Sequence, residues 1–279
     1  MKRLLPAVLL LLYSFSVQPA QADWTQAKRL TWDIGFPYYP ALAIDASGRV
    51  HVVWQDSTAG GYEIFYKKSE DGGSNWSASK RLTWTAGISD YPAIAAGPSG
   101  AVHVVWEDMT PGNYEIFYKK STDGGDTWTP NKRLTWNAGW SQFCTLTVDP
   151  LNRPHLVWDD GTSGNFEIYY KKSTNGGDTW SAAQRLTWNS GYSYAPSIDA
   201  ESAANLHLVW HDNTPGNSEV YYKKSTNGGA SWTTPQRLTW NSGSSGWTAL
   251  AAEATGNLHI VWYDDTPGDY EIYYKKYTK

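Results

Sequence analysis

Five histidines, His51, His103, His155, His207 and His259, are the first residues in this chain that could bind a metal or move a proton. They recur every 52 residues, one per copy of a repeated unit, so they do not converge on one ion. They read as hydrogen-bonded histidines inside a sheet, and neither a metal nor a cofactor is expected. Carboxylates recur in the same way. Glu63, Glu115, Glu167, Glu219 and Glu271 each open a strand-like run. Hairpin register sets Glu63 diagonally from Arg81, which points to a structural ion pair. Asp56, Asp108, Asp160, Asp212 and Asp264 stand beside turns such as "TPGN", but their oxygen spacing matches no calcium loop. The arginines beyond residue 22 are Arg29, Arg81, Arg133, Arg185 and Arg237, all in "RLTW", with Arg49 and Arg153 in turns. None is left to clamp an anionic substrate. Glycoside hydrolysis needs two carboxyls about 5–10 Å apart. At the start of the innermost strands the matched residues Tyr38, Asp90, Gln142, Tyr194 and Gly246 offer one. Cys144, the only cysteine, reads as a small buried hydrophobe, and the paired lysines (Lys67-Lys68 and repeats) as a solvated strand edge.

The elements that hold these residues come from one unit written five times. "RLTW" begins at Arg29, Arg81, Arg133, Arg185 and Arg237, "HVVW" or a variant follows in step, and "YEIFYKKS" or a variant comes third. Each unit reads as four short strands rich in β-branched and aromatic residues, separated by "DASG", "TPGN" and "DGG" turns. Four strands in about fifty residues is a propeller blade. The expected fold is therefore all-β: a single five-bladed β-propeller of four-stranded antiparallel blades over residues 23–279. By register the N-terminal "DWTQAKRLTW" supplies the outer strand of the last blade and closes the ring.

The third turn of each unit carries "S-x-[DN]-G-G-x-x-W": Ser69, Asp71, Gly73, Trp76; Ser121, Asp123, Gly125, Trp128; Ser173, Asn175, Gly177, Trp180; Ser225, Asn227, Gly229, Trp232. Asx-Gly between strands is a hairpin signal. The alternation of Asp with Asn excludes a role that needs the carboxylate, so the stretch is a fastener. It resembles the Asp-box, or BNR repeat, of sialidase-like β-propellers, and the resemblance spans residues 23–279. The resemblance implies a structural turn between the third and fourth strands, away from the ligand face. Sialidases of that family are six-bladed and use three arginines, a Tyr–Glu nucleophile pair and an acidic residue, and no arginine triad can be carried over onto this sequence. The family also contains lectins.

What breaks the repeat is the better guide to a ligand. Trp140 and Trp247 alone among the 17 tryptophans fall off the repeat positions. They lie in the segment before each inner strand, beside Phe36, Tyr38, Asp90, Gln142, Tyr192 and Tyr194. Aromatics mixed with hydroxyls and amides suit stacking on sugar rings, and they equally suit capping the blades against water. The expected function is a non-catalytic binding module, most plausibly lectin-like. A sialidase-like or other glycoside hydrolase and an extracellular protein-interaction scaffold are the alternatives. Residues 1–22, with Lys2, Arg3, the apolar run 4–12 and Ala20-Gln21-Ala22, read as a signal peptide, so a secreted or periplasmic protein with an extracellular partner is expected. Setting Lys2 and Arg3 aside takes the net charge from −4 to −6, which disfavours nucleic acid. No later apolar run reaches spanning length.

Overall fold

The computed structural model describes residues 24–279; the expected signal peptide lies outside the described residues. Two units separate, one ending at Trp32 and one spanning Asp33–Lys279. In the second, nineteen strands form five antiparallel sheets in chain order. The first comprises β1 (Tyr38–Ile44), β2 (Val50–Asp56), β3 (Glu63–Ser69) and β4 (Lys80–Arg81), and the second β5 (Ser89–Ala96), β6 (Val102–Asp108), β7 (Glu115–Ser121) and β8 (Lys132–Arg133). The third comprises β9 (Ser141–Val148), β10 (Pro154–Asp160), β11 (Glu167–Lys172) and β12 (Gln184–Arg185). The fourth comprises β13 (Ser193–Ala200), β14 (Leu206–Asp212), β15 (Glu219–Ser225) and β16 (Gln236–Arg237). The fifth has three strands, β17 (Ser245–Ala252), β18 (Leu258–Asp264) and β19 (Glu271–Tyr277). No helix among the described residues is long and apolar enough to cross a membrane.

Each blade packs on the next through alternate side chains of its middle strands. Val53, Ile64, Tyr66 and Leu82 of the first meet Ile94, Val102, Val104 and Trp106 of the second, and the same set recurs between the second and third and between the third and fourth. The outer strands are two residues long, too short to be held by a ladder alone. Leu82 anchors one by burial, worth about 2 kcal/mol. Arg81 and Thr83 complete the anchor on Glu63, with Arg81 Nη2 at 2.7 Å. The Arg–Glu pairs expected from register are thus present in the first four blades, at 2.7–2.8 Å.

The fifth sheet is where expectation and structure differ. Residues 24–32 carry no strand, so the expected outer strand of the fifth blade does not form among the described residues. On β19 Ile272 is 76% exposed, whereas its counterpart Ile64 is fully buried. On the first blade Leu42 is 65% exposed against 8% for its counterpart Ile94. The N-terminal segment nonetheless has the local shape of an outer strand. Arg29 Nε donates to the Thr31 carbonyl at 2.5 Å and its guanidinium lies over Trp32, as Arg81 does with Thr83 and Trp84.

The paired lysines are not a solvated edge. Lys119, Lys171 and Lys223 are buried, each donating to the carbonyl of Leu82, Leu134 or Leu186 in the preceding blade. Their neighbours Lys68 and Lys120 reach forward to Asp126 and Asp178 of the following blade, at 2.7 and 2.5 Å. Both lysines of a pair therefore clasp adjacent blades, because alternation along the strand sends them to opposite faces.

Candidate functional site

One end of the propeller gathers the loop before each inner strand and the loop joining each second strand to its third. Backbone hydrogen bonds tie the two together, from Met109 N to the Ile88 carbonyl and from Gly161 N to the Trp140 carbonyl, each at 2.9 Å. At this end every inner strand is interrupted two residues in. Pairing with the second strand jumps from Tyr38 to Ala41, from Asp90 to Ala93, from Tyr194 to Ser197 and from Gly246 to Ala249, and β9 shows the same irregularity. The first displaced residue is left-handed in all five blades: Tyr39, Tyr91, Phe143, Ala195 and Trp247 have φ between 44° and 49°. That conformation costs an L-residue about 1–2 kcal/mol. The cost is offset by a hydrogen bond to the preceding blade. Tyr91 N donates to Gln55 Oε1 (2.9 Å), Phe143 N to Glu107 Oε1 (2.5 Å), Ala195 N to Asp159 Oδ1 (3.2 Å) and Trp247 N to His211 Nδ1 (3.4 Å).

The bulge brings these side chains together at the axis. Tyr39, Tyr91, Phe143 and Trp247 meet in a chain of ring contacts, with centroids 4.2, 5.3 and 5.2 Å apart. Tyr91 Oη donates to Tyr39 Oη at 3.0 Å. Together with Ala195, Pro40, Pro92, Pro196 and Cys144 they line an open cavity of about 340 Å³. Ala195 is the one small residue among the five, and leaves the collar open on its side.

Behind the collar lie three carboxyls. Asp90 is 7% exposed, and Glu107 and Asp159 are fully buried. Asp90 and Glu107 are paired across β5 and β6. Burial pushes the Asp90 pKa up to about 7, with the charge of Asp108 adding to the rise and the Tyr114 hydroxyl at 3.5 Å opposing it. Burial also holds Glu107 and Asp159 well above the usual carboxylate range. Asp90 Oδ1, Glu107 Oε2 and Asp159 Oδ2 have no hydrogen-bond partner among the described residues. His211 is buried and pushed down to about 4, so it is neutral at pH 7. Among the described residues no group of His, Cys, Asp or Glu is arranged to hold a metal.

Of the eight residues expected to face a ligand, Trp247 alone lines this cavity. Tyr192 and Tyr194 stack on each other beside Phe166 and His211, forming a flank with centroids 5.2–5.7 Å apart. Trp140 stands edge-on to Tyr114 at 5.8 Å, and the Tyr114 hydroxyl reaches Asp90. Phe36 and Tyr38 are exposed at the first blade, where Tyr38 contacts Tyr62. Asp90 is beneath the collar rather than on it, and Gln142 pairs with Asp159 across β9 and β10. The residues missed are Tyr39, Tyr91 and Phe143 on the collar and Glu107 and Asp159 behind it. A signal for the two acids was present: position 55 and its repeats read Gln, Glu, Asp, His and Tyr, between an invariant Trp and an invariant Asp.

The Asp-box turns lie elsewhere and are fasteners, as their sequence suggests. Ser121 Oγ accepts from Gly125 N (2.7 Å) and Asp123 Oδ1 from Thr127 N (2.9 Å); Ser173 and Asn175 accept the same two donors in the next blade, at 2.8 and 2.9 Å. Trp128, Trp180 and Trp232 pack edge-on against Tyr66, Tyr118 and Tyr170 of the preceding blade. The expected core histidines are also there: His51, His103 and His155 each meet a tyrosine hydroxyl at 2.7 Å.

This is a sialidase-like β-propeller fold. No protein-family profile matches the chain, and no curated protein does. Among solved structures it is similar to a Hadza microbial sialidase at 15% identity and a TM-score of 0.62, covering 87% of this chain and 53% of that one. It is similar to an ulvan lyase at 12% identity and a TM-score of 0.62, covering 86% and 64%. The α-L-arabinanase of Penicillium chrysogenum gives 13% identity and a TM-score of 0.59, covering 85% and 80%. The chain thus spans about half the sialidase and less than two thirds of the lyase, and shares its fold with glycan-active enzymes.

Proposed function

We propose that this chain is an exported, non-catalytic carbohydrate-binding propeller that stacks a sugar on its axial collar. The observation that carries the reading is the convergence of Tyr39, Tyr91, Phe143 and Trp247 at the mouth of one cavity, all four on strained backbone and two of them, Tyr39 and Trp247, half exposed. Strained, solvent-facing aromatics add nothing to the core and present flat apolar faces to the pyranose C–H surface. The ulvan lyase was solved bound to -[GlcA(1-4)Rha3S]- and the arabinanase with arabinobiose, and a sugar-binding role accords with that company.

Hydrolysis is the second reading, favoured by the raised pKa of Asp90. A glycosidase needs an acid and a base in contact with the scissile bond, and Glu107 and Asp159 are closed off from solvent. The test is a glycan array on the chain from residue 23 onward, followed by calorimetry and by product analysis on whatever binds. Binding without turnover, weakened several-fold by Trp247→Ala, is expected. Turnover abolished by Asp90→Asn would replace this reading with the hydrolase, and an array without hits would remove both.

A further inference from the structure

We propose that the protein carries further sugar sites beside its outer strands, one in each groove where a blade meets the next. There Trp188 and its repeats Trp84, Trp136 and Trp240 each seat an uncharged pyranose unit, so the molecule holds a repeating glycan at several points at once. The inference takes its ligand class from the sugar-binding reading and adds sites to it.

These four tryptophans end "RLTW" and follow the outer strands. Each is 66–67% exposed, and a side chain left that far in water adds little to the core. Neighbouring positions differ from copy to copy. The next residue is Thr85, Asn137, Asn189 or Asn241, and the residue two before the arginine is Ser79, Asn131, Ala183 or Pro235. The tryptophan does not change, and neither does its setting. At all four junctions the arginine of its own strand and a lysine of the next blade lie 5.5–5.9 Å from the ring centroid. An indole covered on both faces does not keep two-thirds of its surface in water, so one flat apolar face is open.

Where the third blade meets the fourth, Trp188 borders a groove of about 300 Å³, with Tyr221 and Pro235 of the fourth blade in its lining and the exposed Thr214 bringing a hydroxyl. The next junction has a groove of about 220 Å³ along Leu238, Trp240 and Lys275, the counterparts of Leu186, Trp188 and Lys223. Two charged residues line the first groove, Lys223 and Asp212, one of each sign. A sialate, uronate or sulfate therefore gains no net attraction there. The lining also holds an unused donor. Trp210, 1% exposed, has an indole N–H without a partner among the described residues, whereas Trp54, Trp106 and Trp158 give theirs to the aspartate two residues on, at 3.0–3.2 Å. Asn189 Oδ1, in the same lining, also lacks a partner among the described residues. A hydroxyl delivered there, directly or through a water, is favoured. An open indole face, hydrogen-bonding groups beside it and balanced charge together suit a neutral sugar. Repetition adds avidity: once one groove is filled, a second contact by the same glycan chain is intramolecular, and apparent affinity rises by about 100-fold without a new kind of contact.

Protein labelled with 5-fluorotryptophan gives a fluorine signal for each indole, assigned by single replacements with phenylalanine. Cellohexaose, xylohexaose and mannohexaose are the neutral arms, oligogalacturonate is the charged arm, and a dilution series without sugar is the control. A neutral hexamer is expected to move the Trp84, Trp136, Trp188 and Trp240 signals together at about millimolar concentration, while Trp128, packed on Tyr66, stays still. The immobilised polysaccharide of the same linkage should be held about 100-fold more tightly than its hexamer. That gain should vanish when Trp84→Ala, Trp136→Ala and Trp188→Ala are combined, and tyrosine at the same three positions, which keeps a flat ring, should retain most of it. Movement of Trp247 alone overturns the groove sites and leaves the collar reading standing. Movement of the four groove signals without Trp247 keeps these sites and removes the collar. Groove signals that follow only the galacturonate, or only protein concentration, overturn the neutral-sugar assignment in favour of an anion site or of contact between copies. Silence at both places with every sugar overturns both readings.

Discussion

Asp90 holds its proton to about pH 7 because it is buried where only a tyrosine hydroxyl, 3.5 Å away, favours its ionised form. A carboxyl whose folded pKa is raised binds more protons in the folded than in the unfolded chain, so stability falls as pH rises from about 4 to about 7 and levels off above that. Of the groups around it, Asp108 on β6 adds to the rise and the Tyr114 hydroxyl opposes it, while Glu107 on β6 and Asp159 on β10 are themselves pushed up by burial. Buried histidines such as His103 and His211, pushed down to about 4, slope oppositely over the same range. The informative quantity is therefore the difference between wild type and Asp90→Asn. Urea melts should show the variant gaining about 2–4 kcal/mol on wild type between pH 4 and pH 8; a pH-independent difference would mean Asp90 ionises freely. Tryptophans divide by place in the same way. Trp247→Ala should weaken sugar binding several-fold, about 1 kcal/mol, with a smaller effect on stability. Trp128, packed on Tyr66 and donating to the Gly125 carbonyl at 3.2 Å, should cost about 3 kcal/mol as alanine. Equal melting temperatures for the two variants would refute the division.

At the scale of the element, the Asp-box depends on an acceptor rather than a charge, since Asn175 Oδ1 accepts the same backbone donor as Asp123 Oδ1. Asp123→Asn should leave the melting temperature within a degree or two, while Asp123→Ala should cost about 1 kcal/mol; calorimetric scans decide it, and a damaging Asn would assign the carboxylate a role of its own. The strands, the box, the hydrogen-bonded histidines (though not their tyrosine partners) and the Glu63–Arg81 pair were legible in the sequence because they repeat with period 52 and obey simple alternation. The collar was not legible, for a physical reason. Alternation along the inner strand makes Tyr38 and its repeats the residues at the axis, but the bulge inserts extra residues there and hands that place to Tyr39 and its repeats. A bulge formed around non-glycine residues has no composition of its own, so a one-position error followed. The lysine pairs were misjudged because burial of an ammonium against a carbonyl of the neighbouring blade depends on packing between sheets, which no single strand's pattern records.

For the molecule as a whole the place that decides stability is the seam between the first and last blades. Leu42 and Ile44 on the first blade and Val261 and Ile272 on the fifth are exposed there, and apolar side chains left in water favour burial. Register assigns residues 23–32 as the missing outer strand of the fifth sheet, with Leu30 as the counterpart of Leu82. Deleting 23–32 is therefore expected to lower the melting temperature by many degrees or to cause aggregation, and an unchanged melt would dismiss that strand. Two glycines give a sharper reading. A Cβ on Gly125 would lie 1.8 Å from the Tyr66 hydroxyl of the preceding blade, whereas a Cβ on the equivalent Gly73 meets nothing within 4 Å; both have φ above 90°. If the fifth blade does not meet the first, Gly73→Ala carries only backbone strain, about 1 kcal/mol, while Gly125→Ala adds a clash that displaces Tyr66 and costs several kcal/mol. If instead the fifth blade closes on the first, Tyr274 takes the place of Tyr66 and the two substitutions cost the same. Closure is the expected outcome, because it buries the seam with side chains already matched to it by the repeat. Denaturant midpoints of Gly73→Ala and Gly125→Ala, measured with and without residues 23–32, should be equal in the full chain and should diverge in the truncated one.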